Sequence, residues 1–426
     1  INIADSDGDG LSDGGEVTQG YNPAYTTRFV YVNSATGSDD NDGLSEANAV
    51  QTLKKAIALS QESGFENVIM VAAGVYSGND NKNLDFGGYN IKLRSAAGAE
   101  TTVIDLENSG RFLYLTRGET LDSWLDGFTI KNGSGDYGAA LRFNKAVMTV
   151  KNCIFDSNVS TNYGGAIYSA VSNNMLVQNT KFANNRASRG AAFAGDGSRD
   201  IIFDNVVFLG NRASSYGGAL YLDDTTVSVN QSRFLNNQCS DEAGAVYLTD
   251  GTSKLALTNV LFSGNWALNN YSDISSRNGN QTISMINVTI HDGTSKNNSS
   301  CYFEGQAAAV NCIFTRAVSW HGDRPLIANN CFAAADWSER GSNNITGEPR
   351  LTGRGYLLTG SPCIGAGTVQ GAPAVDIDGI ARSGSIDIGC QQFVDSDADG
   401  IPDNLEIAAG LNPADASDAT SDKDAD

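Results

Sequence analysis

Two acidic stretches, one near each end of the chain, space their carboxylates in the same way. They are Asp5-x-Asp7-x-Asp9-Gly10-x5-Glu16 and Asp395-x-Asp397-x-Asp399-Gly400-x5-Glu406. A hard divalent cation of the size of calcium takes about six to eight oxygen ligands, which such a run of acids can supply. The glycine lets the chain bend around the ion, because it adopts backbone conformations that other residues avoid. Both stretches therefore predict a cation site.

The spacing matches the EF-hand calcium loop at every position. In that loop positions 1, 3 and 5 supply carboxylates, position 7 a backbone carbonyl, position 9 a contact through water and position 12 a bidentate glutamate. The predicted calcium ligands are Asp5, Asp7, Asp9, Leu11, Asp13 and Glu16 in the first loop, and Asp395, Asp397, Asp399, Ile401, Asp403 and Glu406 in the second. We expect a structural role, because five carboxylates around one Ca²⁺ leave little room for a substrate and repel one another without it.

The flanks of the two loops differ from those of an EF-hand. Residues 1–4 and 391–394 are too short or too β-like to form a preceding helix, and each loop is followed by Gly-x-Asn-Pro. This arrangement resembles the tandem acidic repeats of thrombospondin type 3 modules. The resemblance assigns residues 1–23 to one calcium-binding repeat and residues 394–426 to a truncated second set, which ends in a half loop at Asp422, Asp424 and Asp426. That half loop could share an ion with a neighbouring copy and so support filaments.

The formal net charge of −21 argues against a nucleic-acid partner, because phosphate binding requires clustered Lys and Arg. The two acidic ends supply much of this charge, −5 from residues 1–16 and −9 from residues 394–426. No apolar run reaches the roughly 18–20 residues that span a membrane. The chain opens on Ile1 and stops inside an acidic half loop, from which we expect a processed piece of a longer secreted protein.

Residues 125–314 carry a repeat of 24–28 residues with two signatures that stay in phase. The first, an aromatic residue followed three positions later by asparagine, occurs at Phe155/Asn158, Phe182/Asn185, Phe208/Asn211, Phe234/Asn237 and Phe262/Asn265. The second, Gly-Gly-Ala or a variant with small residues, occurs at 138–140, 164–166, 190–192, 217–219 and 243–245. Such a period is typical of a β-solenoid, in which each coil lies about 4.8 Å above the last. We expect interior Phe stacks and asparagine ladders that hold a turn.

The segments on either side of the repeat predict how the solenoid ends. Residues 50–60 have helical spacing, and a short helix there would cover unpaired backbone at the open end. Residues 361–390 are rich in glycine and would close the far end. The predicted fold is therefore all-β: a right-handed parallel β-helix over residues 29–393, with a short N-terminal capping helix and EF-hand-like calcium loops at both ends.

The repeat signatures resemble those of chlamydial polymorphic outer-membrane proteins and related bacterial β-helix surface proteins. Residues 41–57 and 68–78 resemble the opening of pectate-lyase-like β-helices, and residues 361–367 and 376–390 resemble the closing segment of secreted bacterial right-handed β-helix proteins. The resemblance implies a bacterial protein that is secreted or displayed on the cell surface. It implies a fold rather than an activity, because this fold carries lyases, hydrolases, adhesins and passive scaffolds.

Polar residues on the outer face of the coils offer two candidate sites. Tyr168, Tyr221 and Tyr247 occupy the same position in their repeats, flanked by Asp196, Asp223, Asp224 and Asp250. They could form a glycan-binding platform. Alternatively, they are ordinary strand residues of the outer face, and the aspartates belong to turns. A lyase base is conceivable among Arg186, Arg189 and Arg212, and His321 lies beside Trp320, Asp323 and Arg324. Arginines of this kind more often pair with acids on a solvated turn.

Two functions fit these observations. The favoured one is a non-enzymatic, calcium-binding extracellular scaffold: an adhesive, surface or matrix module whose partners are calcium ions, neighbouring copies or extracellular glycans. The alternative is a secreted polysaccharide lyase or glycoside hydrolase that acts on an acidic glycan. The scaffold is favoured because the sequence offers no complete catalytic set, and we predict no catalytic residue.

Overall fold

The computed structural model of the chain describes residues 4–249, 251–321 and 326–419. The chain forms two compact units, residues 1–206 and residues 207–426. Among the described residues, short strands dominate both units, and the three α-helices are α1 (Asp13–Gln19), α2 (Leu53–Ser60) and α3 (Asp403–Ala409). Two single-turn 3-10 helices occupy Glu46–Asn48 and Asn79–Asn81.

The first unit contains nineteen strands within the described residues. They are β1 (Thr27–Val32), β2 (Glu66–Val71), β3 (Gly74–Tyr76), β4 (Ile91–Ser95), β5 (Thr102–Asp105), β6 (Leu113–Leu115), β7 (Trp124–Asp126), β8 (Thr129–Lys131), β9 (Ser134–Tyr137), β10 (Leu141–Asn144), β11 (Thr149–Lys151), β12 (Ile154–Asp156), β13 (Val159–Tyr163), β14 (Ile167–Ala170), β15 (Leu176–Gln178), β16 (Lys181–Ala183), β17 (Arg186–Arg189), β18 (Phe193–Asp196) and β19 (Ile201–Asp204). The pairings between named strands are parallel, as a solenoid requires.

Like residues stack on like throughout the first unit. One interior column runs through Val30, Ile69, Leu93, Leu125, Val150, Val177 and Phe203, all fully buried. The aromatic signature makes a second column, in which the rings of Phe155 and Phe182 stack with centroids 5.0 Å apart. Because these residues stack without a break, the columns form a continuous core. Burial of each side chain of this size stabilises the fold by roughly 1.5–3 kcal/mol.

The second unit contains the remaining strands of the described residues. They are β20 (Val207–Leu209), β21 (Arg212–Tyr216), β22 (Leu220–Asp223), β23 (Thr226–Leu235), β24 (Gln238–Cys239), β25 (Val246–Leu248), β26 (Lys254–Ser263), β27 (Trp266–Ala267), β28 (Ile274–Ser276), β29 (Thr282–His291), β30 (Thr294–Ser295), β31 (Ser299–Phe303), β32 (Gln306–Val310), β33 (Ile313–Phe314), β34 (Ala317–Trp320), β35 (Ile327–Asn329), β36 (Phe332–Ala333) and β37 (Ile345–Thr346). Phe208, Phe234 and Phe262 lie in one column, with ring centroids 4.5 and 4.6 Å apart. The predicted Phe stacks are confirmed.

The buried asparagines form the predicted ladders. In the second unit, Asn211 Nδ2 donates to Asn237 Oδ1 at 2.9 Å, and Asn237 Nδ2 donates to Asn265 Oδ1 at 3.1 Å and to the Phe208 carbonyl at 2.9 Å. In the first unit, Asn158 Nδ2 donates to Asn185 Oδ1 at 3.0 Å. All of these side chains are fully buried, so each amide replaces lost water contacts with partners in neighbouring coils.

The segments at the ends of the predicted β-helix are less regular. Helix α2 lies within the stretch predicted to be helical; it begins after Thr52, whose hydroxyl accepts the amide of Lys55. It packs Leu53 and Ile57 in the interior and contacts β1 and β2, while its role as a cap of an open end stays a prediction. Residues 361–390 lack strands and place Cys363 and Ile388 in a small core.

Replacing Asn237 by alanine is expected to lower the free energy of unfolding by about 2–4 kcal/mol, because the buried hydrogen bonds of its side chain to three neighbouring residues are lost. Denaturant titration in saturating calcium measures this loss. Asn269→Ala is the matched control, because it removes only an exposed hydrogen bond to Asp241. Equal, small losses for both variants would contradict a stabilising ladder.

A buried carboxyl group ends the ladder of the second unit. The coil position after Asn265 is Gly293, and Asp273 occupies the space that an asparagine would fill there: a Cβ on Gly293 would lie 2.4 Å from Asp273 Oδ2. Asp273 accepts hydrogen bonds from Asn265 Nδ2 at 2.9 Å and Ser272 Oγ at 2.6 Å. Burial raises the pKa of Asp273 to about 7, although both hydrogen bonds lower it.

This raised pKa predicts a pH-dependent stability. Below the ordinary aspartate pKa of 3.8 the carboxyl is protonated in both folded and unfolded chains, and its contribution to stability is fully present. That contribution is lost as the pH rises through about 7, because the unfolded chain releases the proton first. Asp273→Asn should therefore flatten the stability profile between about pH 4 and pH 7. Denaturant titrations across this range should leave the profile of Asp292→Asn, an exposed control, unchanged.

Candidate calcium loops and outer faces

The first acidic loop folds around its own carboxylates. Oxygens of Asp5, Asp7 and Asp9 lie within 4.8 Å of one another. Asp5 accepts the amides of Gly8 and Gly10 at 2.8 and 3.1 Å, and the amide of Leu11 donates to Asp9 Oδ1 at 2.8 Å. These bonds turn the backbone back on itself and aim the three carboxylates at one point.

Helix α1 completes this loop. Ser12 caps the helix by accepting the amide of Gly15, and the helix places Glu16 in its first turn, where the side chain is fully buried. Asp13, the predicted water-mediated ligand, accepts hydrogen bonds from the amide and from the hydroxyl of Ser6, both at 2.8 Å. The loop therefore brings the carboxylates of positions 1, 3 and 5 together, and the helix places the glutamate of position 12 close enough to feel the charges of Asp7 and Asp9.

The second acidic loop repeats this geometry. Oxygens of Asp395, Asp397 and Asp399 lie within 4.8 Å of one another. The equivalent hydrogen bonds recur, from Gly400 to Asp395 at 3.2 Å, from Ile401 to Asp399 at 2.7 Å, and from Ser396 to Asp403 at 2.7 and 2.6 Å. Helix α3 begins at Asp403 and buries Glu406 completely.

Several buried oxygens in the loops have no hydrogen-bond donor. They are Asp7 Oδ2 and Glu16 Oε2 in the first loop, and Asp395 Oδ1, Asp397 Oδ2, Asp399 Oδ2, both Oε atoms of Glu406 and Asp418 Oδ1 in the second. Buried carboxylates are costly unless they are paired or bind a metal. A set made only of hard oxygen atoms fits calcium.

Electrostatics in the loops point the same way. The pKa of Glu16 is raised by burial and by the negative charges of Asp7 and Asp9. Burial, together with the charges of Asp397 and Asp399, raises the pKa of Glu406 to about 7. In both loops the carboxylates repel one another, and a bound divalent cation would relieve that repulsion.

The first loop is fixed to the coils of its own unit. The amide of Thr27, the first residue of β1, donates to Asp9 Oδ2 at 2.8 Å, and its hydroxyl donates to Glu16 Oε1 at 3.4 Å. On the Gly-x-Asn-Pro stop, Lys92 Nζ donates to the Gly20 carbonyl at 2.8 Å, and the amide of Asn22 donates to Glu66 Oε2. Two predicted calcium ligands thus contact the first strand directly.

The second loop has fewer links to its unit. Thr359 Oγ1 donates to the Gly400 carbonyl at 2.8 Å, and Asn404 Nδ2 donates to Asp378 Oδ2 at 3.5 Å. The structure adds one acid that the sequence pattern missed, because oxygens of Asp399, Glu406 and Asp418 lie within 4.8 Å of one another. Asp418 stands outside the twelve-residue loop, and only its place in an acidic tail could have suggested it.

The predicted tyrosine platform is covered. Tyr168 in the first unit and Tyr221 and Tyr247 in the second are only 7, 5 and 8 % exposed. The ring of Tyr137 lies 4.9 Å from that of Tyr168, and the ring of Tyr216 lies 4.6 Å from that of Tyr247. Glycan binding by this stripe stays a prediction, and it would require these covering rings to move.

The other candidate polar residues are engaged with neighbours or only partly described. Arg189 donates to the hydroxyl of Tyr163 and lies over its ring at 5.1 Å, and Arg212 Nε donates to Gln238 Oε1 at 2.8 Å. His321 is exposed. Outside the described residues lie Asp250, Asp323, Arg324 and the half loop at Asp422, Asp424 and Asp426. All seven cysteines are described; they carry free thiols and are buried.

Comparisons with known proteins agree with the solenoid. Residues 152–170 and 205–223 match the Chlamydia polymorphic membrane protein repeat. The crystal structure of pectate lyase Pel9A is similar, with a TM-score of 0.52 and 15 % identity over 86 % of this chain and 97 % of that one. The chain is therefore a pectate-lyase-like parallel β-helix, as the sequence resemblance predicted. The likeness to Pel9A concerns the fold alone.

Two further solved structures are more distant. A rhamnogalacturonan lyase has a TM-score of 0.36 and 11 % identity over 71 % of this chain and 87 % of that one. The catalytic domain of a GH87 alpha-1,3-glucanase has a TM-score of 0.30 and 12 % identity over 75 % and 66 %. No curated protein sequence matches the chain. Among the described residues, no helix is long and apolar enough to cross a membrane.

Gly20→Ala is expected to lower the melting temperature in calcium more than Gly410→Ala. Both glycines end a helix with φ near +80°, where an alanine costs roughly 1–2 kcal/mol. Only at Gly20 would the new Cβ also meet the Trp124 ring, 2.3 Å from Cη2, while nothing lies within 4 Å at Gly410. Thermal unfolding of the two variants separates the two effects, because both carry the backbone strain and only Gly20→Ala also disturbs the contact with Trp124. Equal losses would contradict the docking of the first loop on Trp124.

Proposed function

We propose that the protein is a calcium-binding scaffold of the bacterial cell surface, in which Ca²⁺ bound at each acidic loop braces a parallel β-helix. The observation that carries this proposal is Glu406. It is 0 % exposed, both of its carboxylate oxygens lack a donor, and its neighbours Asp399 and Asp418 are also acids. A partner of positive charge accounts for that arrangement, and the described side chains around Glu406 supply none.

The ligand set favours calcium over magnesium. Magnesium keeps several waters and usually binds through one or two carboxylates, whereas calcium accepts a larger set of protein oxygens in a flexible geometry. Each loop offers three aspartates, a glutamate on the following helix and a backbone carbonyl, from Leu11 or Ile401. Asp13 and Asp403, held by Ser6 and Ser396, lie at the position that acts through water.

Calcium would supply the charge that lets these acids lie together, and the residues themselves carry the effect into the coils. At the first loop, Asp9 and Glu16 each accept a hydrogen bond from Thr27 at the start of β1. Order in the loop should therefore stabilise the first strand. At the second loop, the contact of Thr359 with Gly400 connects the loop to the chain just before residues 361–390.

The place of action is supported by the repeat. The matching family is named for polymorphic membrane proteins of Chlamydia, which supports a bacterial outer-surface protein. An adhesive, surface or matrix role follows from such a location together with a rigid, repetitive fold. Neighbouring copies and extracellular glycans are the partners we propose for it, besides calcium.

The enzymatic alternative has weaker support. The similar structure of pectate lyase Pel9A supports an enzyme only by its fold, because its 15 % identity to this chain says nothing of an active site. On the stacked strands β4, β7 and β11, charged side chains pair with one another from strand to strand. Arg94 and Lys151 both pair with Asp126, at 3.3 and 3.7 Å. Side chains engaged in this way are poorly placed to act on a glycan.

Calcium titration calorimetry tests the proposal. The wild-type chain is expected to bind Ca²⁺ at both loops, with a melting temperature that rises on binding because only the folded chain holds the sites. Glu16→Gln should abolish binding at the first loop and Glu406→Gln at the second, since each removes a buried bidentate ligand. Glu339→Gln, at an exposed position, is the matched control and should titrate like wild type.

Two results would refute calcium binding. One is the absence of heat and of any melting shift for wild type in millimolar calcium. The other is unchanged binding in a chain that carries both Glu16→Gln and Glu406→Gln.

A further inference from the structure

The two loops have the same spacing of acids, but only the second has a later acidic residue of the chain packed against it in the described structure. In the second loop, Asp418 comes back to Asp399 and Glu406, twelve positions after the loop's last ligand. Asp418 Oδ2 accepts the amide of Asn412 at 2.9 Å, while its Oδ1 is buried without a donor. One oxygen thus stabilises the turn after α3, and the other has no hydrogen-bond partner in the acidic cluster.

We propose that Asp418 is an additional calcium ligand of the second loop, so that the ion fastens residues 411–419 to helix α3. This inference rests on the proposed calcium binding and adds a residue that the twelve-residue loop pattern does not contain. The independent support is the fully buried Glu406, whose two unpartnered oxygens lie in the same cluster as Asp418. One ion between these side chains satisfies both.

The first loop has no acid at the equivalent position. The residue twelve positions after Glu16 is Arg28, which pairs with Glu62. Asn22, the counterpart of Asn412, donates its amide to Glu66 instead, and Glu66 is neutralised by Lys92. The chain after α1 is therefore held by an ion pair of the protein, whereas the chain after α3 is held through calcium.

Residues 411–419 have little else to order them. Apart from the Asp418 contact, their hydrogen bonds are local: the amide of Leu411 donates to the Glu406 carbonyl at 2.8 Å, and the amide of Ser417 donates to Asp415 Oδ1. Residues 414–417 are exposed. A segment with so few buried contacts depends on its single anchor, so its order should follow calcium occupancy.

The comparison of Asp418→Asn with Asp415→Asn tests this. Calorimetry gives the calcium affinity of each loop, and hydrogen exchange gives the protection of amides 411–419. Asp418→Asn should weaken calcium binding at the second loop by about tenfold or more, because affinity follows the number of charged ligands. It should also speed exchange of residues 411–419 in calcium and leave binding at the first loop unchanged. Asp415→Asn should behave like wild type, because its exposed side chain can still accept from Ser417.

The outcomes distinguish a failure of Asp418 as a ligand from a failure of calcium binding by the loops. If wild type binds calcium at both loops and Asp418→Asn matches it in affinity and in exchange, Asp418 is no ligand and the inference fails alone. If wild type binds no calcium, both fail. Retained binding at the first loop shows that the variant is folded, so a selective loss at the second loop supports the inference.

Discussion

A polar group that loses its water on folding needs a partner inside the molecule, and this requirement accounts for both parts of the structure. In the coils, Asn237 meets it with neighbours one coil away, because parallel strands place equivalent residues directly above one another. In the loops, Glu16 and Glu406 are as deeply buried as the ladder asparagines, yet their neighbours are acids. Repetition satisfies the first group, and we propose that a bound cation satisfies the second.

The same requirement connects the loops to the fold. Asp9 and Glu16 face the candidate ion site with some oxygens and Thr27 with others, so the first loop and β1 share side chains. The neighbouring ion pair of Lys92 and Glu66 holds the segment that joins them. If the first loop binds calcium as proposed, these shared side chains would transmit binding to the coils, whereas a loop on a flexible linker would leave the coils unaffected by the ion.

The sequence predicts contacts that arise from the repeat or within a single loop, but not contacts made by a segment that folds back from further along the chain. The stacks of Phe155 on Phe182 and the asparagine ladders follow from a repeat that measures the length of a coil, and they were predicted correctly. The convergence of Asp395 and Asp399 is local to one loop. Contacts made by a returning chain, such as Asp418 against Glu406 or Tyr137 over Tyr168, follow no repeat spacing, so pattern analysis missed them.

Anomalous X-ray scattering from crystals grown in calcium would locate the bound ions themselves. We expect one strong peak in each acidic loop, about 2.3–2.6 Å from oxygens of Glu16 in the first and of Glu406 in the second. Calcium binding by the loops would be contradicted by maps without a peak in either loop, in which these two glutamates turn to solvent or accept hydrogen bonds from protein donors.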